Sequence, residues 1–165
     1  MSKAFTKEDD GGGGPERLPD LPISPHPNHV TPRGLAQLKA RAAALETRIA
    51  ELRATSDSLA DLTPLAVASR DLRYVEARLA SAIPVTPPAR PEKVSFGTTV
   101  RVLDEDGQEA SYTIVGEDEA APERGLIAHV SPLARALMEA APGDVVDWMK
   151  PTGSVALEVL DIRSE

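Results

Sequence analysis

Two runs of aliphatic residues, stepping alternately by three and four, constrain this chain more than anything else in it. The first is Leu35, Leu38, Ala42, Leu45, Ile49 and Leu52; the second is Leu65, Ala68, Leu72, Val75, Leu79 and Ala82. Such spacing is a heptad seam, a narrow apolar stripe along one side of a helix. The other faces are charged: Lys39, Arg41, Glu46, Arg48, Glu51 and Arg53 on the first run, and Arg70, Asp71, Arg73, Glu76 and Arg78 on the second, mostly off the seam. Two seams of nearly equal length joined by a short turn are best buried against each other. The expected product is an antiparallel coiled-coil hairpin over residues 30–83. With about 20 residues per arm it projects roughly 30 Å. Thr31 offers an N-cap and Pro32 takes the first helical position, where a missing N–H costs least. Two helices alone make a thin core, so something must anchor their base.

On either side of the hairpin the composition changes. Residues 1–29 combine Gly11–Gly14 with Pro15, Pro19, Pro22, Pro25 and Pro27. A segment with so little apolar surface to bury is expected to be a disordered or extended N-terminal extension. "PVTPPARPEK", residues 84–93, reads as a stiff proline-rich linker. From residue 94 to 165 the period becomes two. "SFGTTVRVLD" and "ASYTIVG" pair about the turn "EDGQ", "RGLIAHV" is a third strand, and "VVDWMK" and "VALEVLDI" close a second hairpin. "SPLARALMEAA" is a helix capped by Ser131 with Pro132 at its first position, ended by "PGD". The fold class is therefore α+β, a helical hairpin followed by an antiparallel sheet with one helix on its face.

Charge and composition narrow the function. A net charge of −8 disfavours an autonomous duplex-DNA binder and favours a basic protein surface or a cation as partner. Aromatic residues make up only 3% of the chain, too few for base-stacking platforms. The absence of cysteine removes thiolate metal sites and cysteine nucleophiles. No apolar run approaches a bilayer span, and "MSKAFTKEDDGGGG" has no signal-peptide core, so a cytoplasmic protein without membrane contact is expected. Phosphate loops, dinucleotide fingerprints and nucleophile elbows are absent, and His26, His29 and His129 are scattered. A binding and regulatory protein fits better than an enzyme, with no catalytic residue and no cofactor of its own.

The phrases "VSFGTTVRV", "SYTIVGEDEA", "LIAHVSPLARALMEAAPGDVVD" and "VALEVLDI" resemble the C-terminal domain of the GreA/GreB transcription elongation factors. "TPRGLAQLKA" and "YVEARLASAIPV" resemble the base of that family's coiled-coil arm, and "MSKAFTKED" the start of extended GreB-type members. The resemblance implies an FKBP-like C-terminal domain that docks on RNA polymerase and a hairpin that enters the polymerase's secondary channel. Contact with DNA and RNA would then be indirect, through the elongation complex. Ser131, Pro132 and Arg135 are the docking residues it implies, and the acids of the hairpin tip would help hold a Mg²⁺ shared with the polymerase. Carboxylates are suitable hard ligands for that ion.

The tip is where the sequence departs from the family. Family tips resemble "GDLKEN" or "GDRSEN", with two acids three residues apart. In "SDSLAD", Asp57 matches the first acid, Ala60 falls at the second, and Asp61 is adjacent. Each arm also looks about two helical turns shorter than in cleavage-active members, roughly 10 Å. Asp57 and Asp61, with Ser58 between them, are thus the candidate metal-reaching tip. The competing reading has Ser56 or Asp57 capping one helix end and Asp61 and Thr63 starting the next before Pro64, and it needs no further assumption. Val130 stands where the family commonly has Asp or Asn before the Ser-Pro pair. The expectation is an elongation regulator whose stimulation of transcript cleavage is in doubt. The alternatives are a polymerase-binding Rnk-like or inhibitory module without cleavage activity, and an FKBP-like prolyl isomerase, whose pocket would have to be built from Phe96, Tyr112 and Trp148.

Overall fold

A computed structural model of the protein describes residues 17–55 and 62–164. The candidate tip residues Asp57 and Asp61, with Ser58, lie outside the described residues. Strand β1 (His29–Val30) leads into helix α1 (Pro32–Thr55), and α2 (Leu62–Ala80) returns to β2 (Ile83–Pro84). All twelve seam residues fall in the two apolar clusters between the helices. One, around Leu38, Val75 and Val30, lies toward the base; the other, around Ile49, Leu52 and Ala68, lies toward the far end. Leu45 belongs to both, so the seam is continuous along the hairpin. The Thr31 hydroxyl accepts the Gly34 N–H at 2.9 Å, as an N-cap should.

The C-terminal domain is a five-stranded sheet in the order β5-β4-β3-β7-β6, built from β3 (Thr98–Asp104), β4 (Glu109–Val115), β5 (Leu126–Ala128), β6 (Val145–Lys150) and β7 (Gly153–Ser164). It is mixed rather than wholly antiparallel: β5 runs parallel to β4, with Ile127 opposite Ile114. Between them the chain makes two short 3-10 turns, Glu117–Glu119 and Pro122–Arg124, instead of a hairpin. That detour brings the strand back in the same direction. Helix α3 (Pro132–Leu137) lays Leu133, Ala134 and Leu137 into a core with Val100, Val102, Ile114, Leu157 and Val159.

Helix α3 is also shorter than the sequence pattern predicts. It stops at Leu137 because Glu139 takes a positive φ of 66° and its N–H donates to the Val94 carbonyl at 2.9 Å. The Val94 N–H in turn donates to the Ala140 carbonyl at 2.8 Å. Two backbone bonds to a neighbouring segment replace the next helical turn, a tertiary override of local helix propensity.

The segment expected to be disordered or extended up to residue 29 is extended over its described part, but it is fastened to the arm. Arg73 Nε donates to Asp20 Oδ1 at 2.5 Å, and Arg73 Nη2 donates to the Leu18 carbonyl at 3.0 Å. Asn28 is buried, its amide donating to the Arg78 carbonyl at 2.7 Å and to Ser81 Oγ at 3.1 Å. Strands β1 and β2 then pair in parallel, with the Ile83 N–H on the Asn28 carbonyl and the Val85 N–H on the Val30 carbonyl. Composition misled here because polar and backbone groups, not an apolar stripe, make the attachment.

Candidate functional site

The base of the arm meets the C-terminal domain at the turn Glu117–Glu119, and each helix is held by a different acid. Glu119, from which α1 hangs, is buried; its Oε2 accepts from the Thr31 hydroxyl at 2.5 Å and its Oε1 from Arg33 Nε at 2.7 Å. Asp118 holds α2: Oδ2 accepts from Arg78 Nε at 2.5 Å and Oδ1 from the Tyr74 hydroxyl at 2.6 Å. Arg78 Nη2 lies 3.8 Å from Glu117 Oε2. The Arg78 side chain is only 2% exposed, against the sequence expectation that it lies off the seam in solvent. Burial, reinforced by the hydrogen bond to Asp118, pushes the Tyr74 hydroxyl up to about 12, so it stays a donor throughout the ordinary pH range.

Two glycines let these surfaces close. A Cβ on Gly34 would sit 2.5 Å from Glu119 Oε2, and one on Gly116 would collide with the His29 carbonyl oxygen. The clash at Gly116 is with backbone and excludes a side chain there, while one at Gly34 would have to move the Glu119 carboxylate away from Thr31 and Arg33. The joint also gathers two of the chain's three histidines against one aromatic ring. His29 and His129 stack with centroids 5.5 Å apart, and Phe96 meets both edge-on at 5.7 and 5.6 Å. Burial, then the neighbouring His29, holds His129 below the usual histidine range. The joint is a many-point clamp that fixes the arm's direction relative to the sheet. Arg33, Tyr74, Asp118 and Glu119 escaped the sequence reading, which took Thr31 only as an N-cap and Arg78 only as a charge off the seam. The available signal was the Tyr74–Arg78 pair, which at i,i+4 shares one helix face, together with the acidic run at 117–119.

A second surface lies between the sheet and the start of α3. A cavity of about 520 Å³ opens between Tyr112 on β4, Ile127 on β5, the Ser131–Leu133 entry of α3, and Trp148 and Met149 on β6. Lys150 Nζ stands 4.0 Å from the Trp148 ring centroid, a cation–π contact at the rim. Strand β6 is a sheet edge, and Val145 and Met149 on it are 65% and 68% exposed. Of the sequence-predicted docking residues, Ser131 and Pro132 line this cavity, while Ser131 Oγ also accepts the Ala134 N–H as the cap of α3. Arg135 is exposed on the same helix. Tyr112 and Trp148 share the cavity, but Phe96 does not; it is committed to the histidine stack. Among the described residues no group of histidine and acidic side chains is arranged to hold a metal ion, and no helix is long and apolar enough to cross a membrane.

A helical hairpin clamped by acids to a small sheet-and-helix domain defines a protein that presents an arm from a compact head. Residues 89–164 match the family described as transcription elongation factor, GreA/GreB, C-terminal, so the C-terminal domain is one of the GreA/GreB type. The transcription elongation factor GreA of Alkalilimnicola ehrlichii is 41% identical over 95 residues, covering 56% of this chain and 60% of that protein. That of Nitratiruptor sp. is 40% identical over 104 residues, covering 58% and 64%. The chain thus spans less than two thirds of the length of these curated relatives. Among solved structures, GreA factor homolog 1 (Gfh1) of Thermus thermophilus is similar at 22% identity and a TM-score of 0.41, over 84% of this chain and 100% of that one.

Proposed function

We propose that this protein is a transcription elongation regulator that docks on RNA polymerase through its C-terminal domain and directs its helical arm into the secondary channel. The observation that carries this reading is the clamp at Asp118 and Glu119. An arm that must enter a channel needs a fixed direction relative to the surface that docks, and both helices are tied to one turn of the docking domain. The docking face is the cavity beside Ser131, Pro132 and Trp148, with exposed Met149 at its edge and Arg135 on the adjoining helix. Residues 94–164 hold thirteen Asp and Glu against five Lys and Arg. Such a head favours a polymerase surface that is basic around an apolar contact.

The chain supplies no nuclease chemistry in this reading. Asp57 alone matches a family tip acid, and Ala60 stands at the other position. The Mg²⁺ used in transcript cleavage would be the polymerase's, and a tip with one matched acid on a short arm supports occupancy of the channel rather than strong stimulation of cleavage. The test is retention of core polymerase by the immobilised protein. Replacing Pro132 and Arg135 together should weaken it by about 1–3 kcal/mol, the range for a charged hydrogen bond. Undiminished retention would place the docking face elsewhere. A second reading, prolyl isomerisation, draws on Tyr112 and Trp148 lining one cavity. Turnover of a proline peptide that is lost in Trp148→Ala would favour it.

A further inference from the structure

The two edges of the sheet are finished differently. At one, β5 is three residues long with Leu126 and Ile127 buried, and the edge is closed by a backbone bridge in which Ala121 and Leu126 exchange N–H to carbonyl bonds at 2.9 and 3.1 Å. At the other, β6 runs six residues in unbroken register with β7. Sheets commonly blunt such an edge with a bulge, a proline or charged side chains. Here the register shift lies between β3 and β7 at Arg101 and Val102, and Pro151 falls only after the strand. Val145 and Met149 stand exposed, and the one mid-strand charge between them is Asp147.

The direction of the β6 backbone groups follows from the bonds just before the strand. The Gly143 N–H donates to the Val159 carbonyl at 2.7 Å, and the Val159 N–H donates to the Asp144 carbonyl at 2.8 Å. The backbone of Val159 therefore points to the β6 side, as do those of Leu157, Val155 and Gly153 at every second residue. Their partners Val146, Trp148 and Lys150 turn their backbone groups inward. Val145, Asp147 and Met149 turn theirs outward, and among the described residues no other segment takes them up. On the face that carries these three side chains, the register adds Glu158, Ala156 and Ser154 from β7. The edge thus reads apolar, acidic, apolar, and both of its charges on that face are negative.

We propose that β6 receives an extended segment of a partner protein as a sixth strand, whose side chains on this face run apolar, basic, apolar. Ladder bonds to Val145, Asp147 and Met149 supply the affinity, and the basic residue opposite Asp147 fixes the register. A second copy of this chain is the poorer occupant, because it brings another Asp147 and a net charge of −8. The added strand is a backbone contact beside the docking cavity, and it holds whether or not the polymerase is what that cavity meets.

The full-length protein tests this without any polymerase, so its failure is distinct from failure of the docking reading. The probe is a blocked seven-residue peptide with threonine at the odd positions and valine, arginine and valine at the even ones. Binding is read from the fluorescence of Trp148, the chain's single tryptophan, and should saturate. N-methylation at the valine and arginine amides, which face β6, should weaken it by about tenfold or more, while N-methylation at the threonines should be tolerated. Glutamate in place of the arginine should weaken binding about fivefold, and Asp147→Lys should reverse that preference. Absence of saturable binding, equal loss with both N-methylated peptides, or indifference to the charge exchange would overturn the proposal. So would a dimer of the free protein in sedimentation that Met149→Lys dissolves, since the occupant would then be a second copy.

Discussion

Arg78 Nε stands 2.5 Å from Asp118 Oδ2 across the joint between arm and sheet, with the arginine side chain 2% and the aspartate 11% exposed. A buried pair of this kind contributes little relative to a well-packed apolar pair, but breaking it strands a charge. Arg78→Met should therefore destabilise the protein by about 3–5 kcal/mol. Arg78→Met combined with Asp118→Leu should recover a large part of that loss. Urea unfolding of the single and double variants makes the comparison, and equal stability of the two would mean that the pair is not coupled.

The His29 carbonyl approaches Gly116 so closely that a methyl group cannot be placed there. Gly116→Ala should push β1 off the domain and expose the backbone bonds it makes to β2. Hydrogen exchange at the Ile83 and Val85 amides should speed up by one to two orders of magnitude, about 1.4–2.8 kcal/mol of lost protection. Exchange in the core strands, at Val100 or Val159, should change far less. Unchanged exchange at Ile83 would show that the backbone shifts without cost.

Acid should loosen the same joint. Burial, His29 and His26 lower the His129 value, while the Val115 carbonyl and the Glu117 carboxylate act in the opposite direction. With the folded-state value below the ordinary value of about 6.5, the unfolded chain takes up the proton first. Stability is therefore complete above about pH 6.5 and falls as pH drops below it toward the folded-state value. His129→Phe should flatten that part of the curve. Equal losses between pH 7 and pH 5.5 in the protein and its variant would contradict the assignment.

Much of this fold is legible in the sequence because it is periodic. The seam from Leu35 to Leu52 and its partner from Leu65 to Ala82 are found together in the arm's core, and Thr31 and Ser131 cap the helices they precede. What the sequence hides is what depends on a distant residue. Arg78 reads as a solvated arginine until Asp118 arrives from 40 positions away. The end of α3 depends on Val94 offering its backbone to Glu139 and Ala140. The strand β5 reads as the next antiparallel strand until the two turns after Val115 reverse the expectation. Residues 17–28 are held to the arm by Arg73 on Asp20 and the Leu18 carbonyl and by the Asn28 amide, polar contacts that leave no hydrophobic pattern to read.

In the function proposed above, a clamped arm occupies the polymerase channel without strongly stimulating cleavage. Steric occupancy needs no catalytic geometry, whereas inner-sphere contact with Mg²⁺ requires an oxygen at about 2.1 Å. The direct measurement is RNA cleavage by stalled, backtracked polymerase supplied with a cleavage-active Gre factor, while this protein is titrated in. Cleavage should fall progressively as the protein is added, and the protein alone should produce little. Cleavage that stays constant or rises on addition, or strong cleavage by the protein alone that is lost when Asp57 and Asp61 are both replaced by alanine, would contradict the claim.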